Sequence, residues 1–115
     1  MRTVTLEVRS LKDSLSVAAA EARRGKAATT AHIGFATPEL LWQVLTAKRW
    51  EILKAMTGAG ALSVREVARR VGRDVKAVHA DVQALLKAGV LEKSQRRVVF
   101  PYDTVHVDFR LGAAA

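Results

Sequence analysis

The sequence predicts an α+β fold in which a run of helices carries a short β-hairpin, with strands contributed by both ends of the chain. Three observations predict it. Residues 3–8 and 104–110 alternate polar and apolar side chains, helical periodicity runs through residues 38–88 with interruptions at glycine, and a basic strand–turn–strand pattern follows at 90–100.

At the N-terminus, Thr3, Thr5 and Glu7 alternate with Val4, Leu6 and Val8, the period of a strand with one buried face. Ser10 caps a helix, with Asp13 placed to complete a capping box. Leu11, Leu15, Ala18 and Ala22 form its narrow apolar stripe, and Arg23, Arg24 and Gly25 end it. So thin a stripe predicts packing on a sheet or on a partner subunit. Residues 26–30 read as a loop and 32–36 as a second short strand. Thr37-Pro38 opens the next helix, because proline is best tolerated in a first turn, and Leu40, Leu41, Val44 and Leu45 are its expected buried side. Thr46 recaps the chain for a helix over 47–57 built around Trp50, Ile52, Leu53 and Met56, and Gly58-Ala59-Gly60 links onward.

Residues 62–97 carry the densest set of signals. Ser63 is a good N-cap, and Glu66 three positions later completes a capping box for a short helix with Val64, Val67, Ala68 and Val71 on one side. Gly72 supplies the backbone freedom of a tight turn. Asp74 caps a second helix whose expected apolar stripe is Val75, Val78, Val82, Leu85 and Leu86, and Gly89 ends it. Two short helices joined by such a turn form a helix-turn-helix, whose second helix enters the DNA major groove. Residues 90–93 and 97–100 are strand-like around a turn at Ser94, Gln95 and Arg96, which makes a wing with Arg96 and Arg97 at its tip. Beyond the wing, Pro101 limits the strand, and Val105, Val107 and Phe109 share one side of the last one. The closing Gly-Ala-Ala-Ala reads as a frayed end.

Charge follows this architecture. Nine Lys and Arg stand against four acids between Leu62 and Arg97, within a chain of net charge +8 and isoelectric point near 10.6. A surplus of this size points toward polyanions, of which nucleic acid is the commonest in a cytosol. The absence of cysteine excludes a disulfide framework and thiolate metal sites. No apolar run approaches the roughly 20 residues of a membrane helix. The N-terminus lacks the organisation of a signal peptide, so a cytoplasmic protein with no membrane partner is expected. His32, His79 and His106 fall on different elements at no metal-ligand spacing, and P-loop, GxGxxG and HExxH motifs are absent. His106 and Asp108 share a strand face, but two ligands without a third make a weak metal site. No catalytic residue, cofactor or metal is therefore expected.

The stretch TAKRWEILKAM at 46–56, followed by SVREVARRVGRDVKAVHADVQALLKAGVLEK and VVFPYDTVHVDF, resembles the predicted winged helix-turn-helix transcriptional regulators, a MarR/ArsR-like group of bacteria and archaea. The resemblance covers residues 35–109 and is looser before them. It implies DNA binding and a homodimer. Some members of that group are encoded beside toxin genes and act as antitoxin-like repressors, so the alternative it implies is an antitoxin that binds a nearby-encoded toxin protein and autorepresses its operon.

The expected fold is thus an α+β winged helix-turn-helix (37–111) with an N-terminal strand–helix–strand appendage (1–36) for dimerisation or partner binding. The expected function is a sequence-specific double-stranded DNA-binding repressor, with helix 75–88 in the major groove and wing 94–97 on the backbone or minor groove. Arg73 and Lys76 are candidates for guanine or phosphate, Gln83 for adenine, and Ala77 and Ala80 for close approach or a thymine methyl. His79 either donates to a phosphate or base or is a solvated surface side chain. Arg65, Arg69 and Arg70 are phosphate candidates, Ser63 brings helix-start amides to a phosphate, and Arg96 and Arg97 serve the wing. Asp81 would repel a phosphate, so it is expected to pair with an arginine of the preceding helix.

Overall fold

A computed structural model describes residues 2–8 and 30–109. The expected helix after Ser10, most of the loop that follows it and the C-terminal tail lie outside the described residues. The described elements are β1 (Thr3–Val8), β2 (Thr30–Phe35), α1 (Pro38–Val44), α2 (Ala47–Met56), α3 (Val64–Val71), α4 (Val75–Ala88), β3 (Glu92–Ser94), β4 (Arg97–Val99) and β5 (Thr104–Asp108). The α+β expectation holds.

β1 is the middle strand of a three-stranded sheet of order β2-β1-β5, parallel to both neighbours. Parallel pairing requires long connections, and residues 9–29 separate β1 from β2 in sequence while the whole helical region separates β2 from β5. The two terminal strands therefore pair within one chain. Their starts are pinned together: the Arg2 amide donates to Asp103 Oδ2 at 2.9 Å, and the Asp103 amide donates to the Arg2 carbonyl at 2.8 Å. The strand at 3–8 was expected to bury one face only, but Val4 and Leu6 on one side and Thr5 and Glu7 on the other are all buried. A central parallel strand is covered on both faces, and Glu7 there meets His32 Nδ1 at 2.8 Å.

Val4 and Leu6 belong to the same apolar cluster as Leu41, Ile52, Leu53, Met56, Val67, Val78, Val82 and Leu85, so packing runs across the 36/37 boundary expected from patterning. Local chemistry explains where the helices stop and start. Thr37, Thr46, Ser63 and Asp74 each accept from the amide three residues on, and Gly72 and Gly89 cap α3 and α4 in the left-handed region at φ 67° and 84°.

Three expected core residues lie at the surface. Trp50 (37 % exposed) is two positions from Ile52, about 200° around α2, and so points away from the core. Leu40 flanks the short contact line made by Leu41 and Leu45. Val75 (43 % exposed) opens α4, where a side chain leans toward the helix start and beyond the edge of the core below Val78.

β3 and β4 form a hairpin with Ser94 opposite Arg97, which leaves Gln95 and Arg96 as a two-residue turn with Gln95 at φ 59°. Leu62, just before α3, joins this hairpin as a third edge: its amide and carbonyl exchange hydrogen bonds with those of Val98, both at 2.8 Å. That exchange holds the hairpin tip beside the start of α3. No helix among the described residues is long and apolar enough to cross a membrane.

Candidate nucleic-acid interface

The Leu62–Val98 bridge has a direct consequence for charge. An open groove of about 720 Å³ is lined by Ser63, Val64 and Arg65 from the start of α3, by Asp74, Val75, Lys76 and His79 from the start of α4, and by Arg96 from the hairpin tip. Segments up to 33 positions apart thus converge on one surface carrying Arg65, Lys76 and Arg96, all exposed. Its acid, Asp74, is engaged as a cap and accepts from the Ala77 amide at 3.2 Å. Ser63 Oγ is likewise occupied, accepting from the Glu66 amide at 3.1 Å.

The other expected site residues divide into three groups. Ala77, Ala80 and Gln83 are exposed on α4, and Gln83 Nε2 lies 3.5 Å from His79 Nε2, so these two side chains restrict one another. Arg69 and Arg70 are exposed on α3 but do not line the groove. Arg97 is exposed beside Arg96, yet its Nη1 lies 3.7 Å from Glu66 Oε1 and its charge is partly answered.

Arg73 differs from the expectation. It folds inward, with Nη1 2.9 Å from Asp81 Oδ2, and only about a fifth of its side chain is exposed. That nitrogen is shielded from water and has no well-aligned hydrogen bond, so the contact is a Coulombic pair rather than a directed one. Asp81 also receives a 3.0 Å hydrogen bond from Arg49 Nε, while Arg49 Nη1 donates to the carbonyls of Gln43 (2.9 Å) and Val44 (3.0 Å) at the end of α1. Asp81 therefore pairs with an arginine of α2 and one in the α3–α4 turn, not with one in α3. Burial pushes its carboxyl up, but the hydrogen bond from Arg49 and the charge of Arg73 outweigh burial and hold it below the ordinary carboxylate range. The network locks α4 to α1 and α2, and so fixes the angle at which Lys76, His79 and Gln83 are presented.

Arg49 escaped the sequence reading because its partner is 32 positions away and no local spacing signals the pair. Val75 escaped as a surface residue because its spacing fits the core stripe. Among the described residues no group of three or more His, Cys, Asp or Glu is arranged to hold a metal.

Neither a curated protein nor a solved structure matches this chain. A family model does: HVO_A0114 matches residues 44–107, from the last residue of α1 into β5. That range holds the groove, the hairpin and the Arg49–Asp81–Arg73 network, and it exceeds half of the 115 residues. The chain belongs to the HVO_A0114 family.

Proposed function

We propose that the protein is a winged helix-turn-helix regulator that binds double-stranded DNA sequence-specifically, as a repressor, with α4 in the major groove and the β3–β4 hairpin as its wing. The observation that carries this reading is the convergence of Arg65, Lys76, His79 and Arg96, from two helix starts and a hairpin tip, on one groove. Phosphates supply most of the affinity of such a complex, and a cationic surface tracks them without reading sequence. Arg65 and Arg96 are exposed and line the groove, and Arg69 and Arg70 are exposed outside it on the same helix as Arg65.

Base reading falls to the outward side of α4. Lys76 suits guanine, Gln83 suits adenine, and the small Ala77 and Ala80 permit a close approach to the groove floor. Val75 adds an apolar surface suited to a thymine methyl. Arg73 takes the role of an internal brace rather than a base contact, because its charge is spent on Asp81.

Fluorescence anisotropy with the DNA directly upstream of the protein's own coding sequence, and with a scrambled duplex, tests the proposal. Tighter binding of the upstream DNA is expected. Gln83→Ala should narrow the gap between the two duplexes by about tenfold, a loss of roughly 1–3 kcal/mol of discrimination. A gap that stays the same, or equal binding of both duplexes by the wild type, would count against a recognition helix.

A further inference from the structure

A second hollow, of about 590 Å³, opens on a different set of residues, with Trp42, Trp50, Val107 and Phe109 among its walls. Trp42 (48 % exposed) and Phe109 (42 %) meet edge to face with centroids 5.0 Å apart. Large exposed aromatics gathered at one place mark an interaction surface. The hollow borders β5, an outer strand of the sheet, whose described partner on one side is β1. An outer strand offers its free backbone donors and acceptors to another strand.

The sequence of β5 says which strand suits it. Thr104-Val105-His106-Val107-Asp108 has the same polar–apolar pattern in both directions about His106. Set antiparallel against its own copy with His106 at the two-fold axis, it brings Val105 opposite Val107 twice on the helix side. On the other side Thr104 meets Asp108, a hydroxyl donor against a carboxylate acceptor, and His106 meets His106. A register shift by one residue would set valines against polar side chains. The exposed face already carries Thr104, His106 and Asp108, so the pairing leaves no buried charge unanswered.

We propose that a second copy of this chain docks along the β5 edge, antiparallel about His106, with the Trp42–Trp50–Phe109 surface covering the flank of the joint. The two three-stranded sheets then become continuous across the axis. The joint runs about 17 Å along five extended residues, so strand pairing alone is narrow and the aromatic flank completes it. This proposal does not depend on DNA binding.

Sedimentation velocity of the full chain over roughly 1–100 μM tests it. Wild type should run at twice the 12.5 kDa chain mass. His106→Glu and His106→Lys alter an exposed side chain and place like charges face to face across the axis, so each alone should weaken the dimer by at least about tenfold. Mixing the two variants sets opposite charges across the axis and should restore a dimer containing one of each. Circular dichroism checks that both variants remain folded; if either unfolds, Thr104→Lys, which faces Asp108 across the same joint and should tighten the dimer, replaces it. A wild-type chain that stays monomeric overturns the proposal and leaves the hollow to a different protein or a small apolar ligand. A dimer indifferent to both variants, or variants whose mixture stays monomeric, overturns it too.

Discussion

Two hollows among the described residues are similar in size and opposite in chemistry. One, near 720 Å³, is ringed by Arg65, Lys76 and Arg96, while the other, near 590 Å³, is walled by Trp42, Trp50 and Phe109. Shape therefore does not tell their uses apart. The cationic groove holds side chains that stay solvated and repel one another until an anion arrives, whereas the aromatic hollow holds surface that water covers at a cost. The difference is built in at the level of secondary structure. Basic side chains sit at helix starts and a hairpin tip, where backbone amides also face outward. Trp42 and Trp50 sit on α1 and α2, and Phe109 directly follows the edge strand β5.

The largest expected effect separates the two surfaces. Lys76→Glu combined with Arg96→Glu reverses charge on two exposed side chains of the groove and should lower DNA affinity by about 100-fold at low salt. The sedimentation behaviour of the same variant should match wild type. If reversing these charges also changed the mass in solution, the two hollows would not be independent surfaces.

A smaller effect is expected behind the groove. Asp81→Ala leaves Arg49 and Arg73 facing one another without their shared carboxylate, in a site where each side chain is less than a quarter exposed. Loss of one partner from a fully buried pair costs about 3–5 kcal/mol. Residual solvent here lowers the expected loss to about 1–2 kcal/mol, measured by urea unfolding. Acid provides a check on the cause. The folded carboxyl titrates below its ordinary value of 3.8, so its stabilisation is complete above that pH and disappears as pH falls through the folded value. The gap between wild type and variant should be widest near neutrality and narrow below pH 3.8. A gap constant with pH would assign the loss to packing and not to the ion pair.

These effects also show which parts of the molecule could be read in advance. Ser63, Gly72, Asp74 and Gly89 mark their helix ends because capping is a matter of three or four residues, and the structure uses all four as caps. The outward set Lys76, Ala77, His79, Ala80 and Gln83 was legible for the same reason, since it is the complement of Val78, Val82 and Leu85 on one helix. What was not legible depends on distant chain. Arg73 looked like a free cation, but the α3–α4 turn folds it onto Asp81, and Arg49, 32 positions from that carboxylate, shares it. The alternation of β1 could not show that Glu7 would be buried, or that it would meet His32, 25 positions away on β2. Leu62 opened the stretch at 62–97 with no role assigned to it, and only its bridge to Val98, 36 positions on, makes it the residue that aims the hairpin at the groove.

The finest test lies at the hairpin, where two adjacent arginines have different surroundings. Arg96 occupies the turn and lines the groove, whereas Arg97 opens β4 with Glu66 3.7 Å away. A cation that neutralises one phosphate contributes about 0.9 to the slope of log affinity against log salt. Arg96→Ala should lower that slope by about this amount. Arg97→Ala should lower it by less than about half as much, because part of its charge is already balanced before DNA arrives. Both substitutions lie on exposed side chains, so the comparison is not confounded by folding. Equal reductions would mean that Glu66 releases Arg97 on binding, and Glu66→Gln would then leave the slope unchanged; if Glu66 does hold Arg97, the same substitution should raise it toward the Arg96 value.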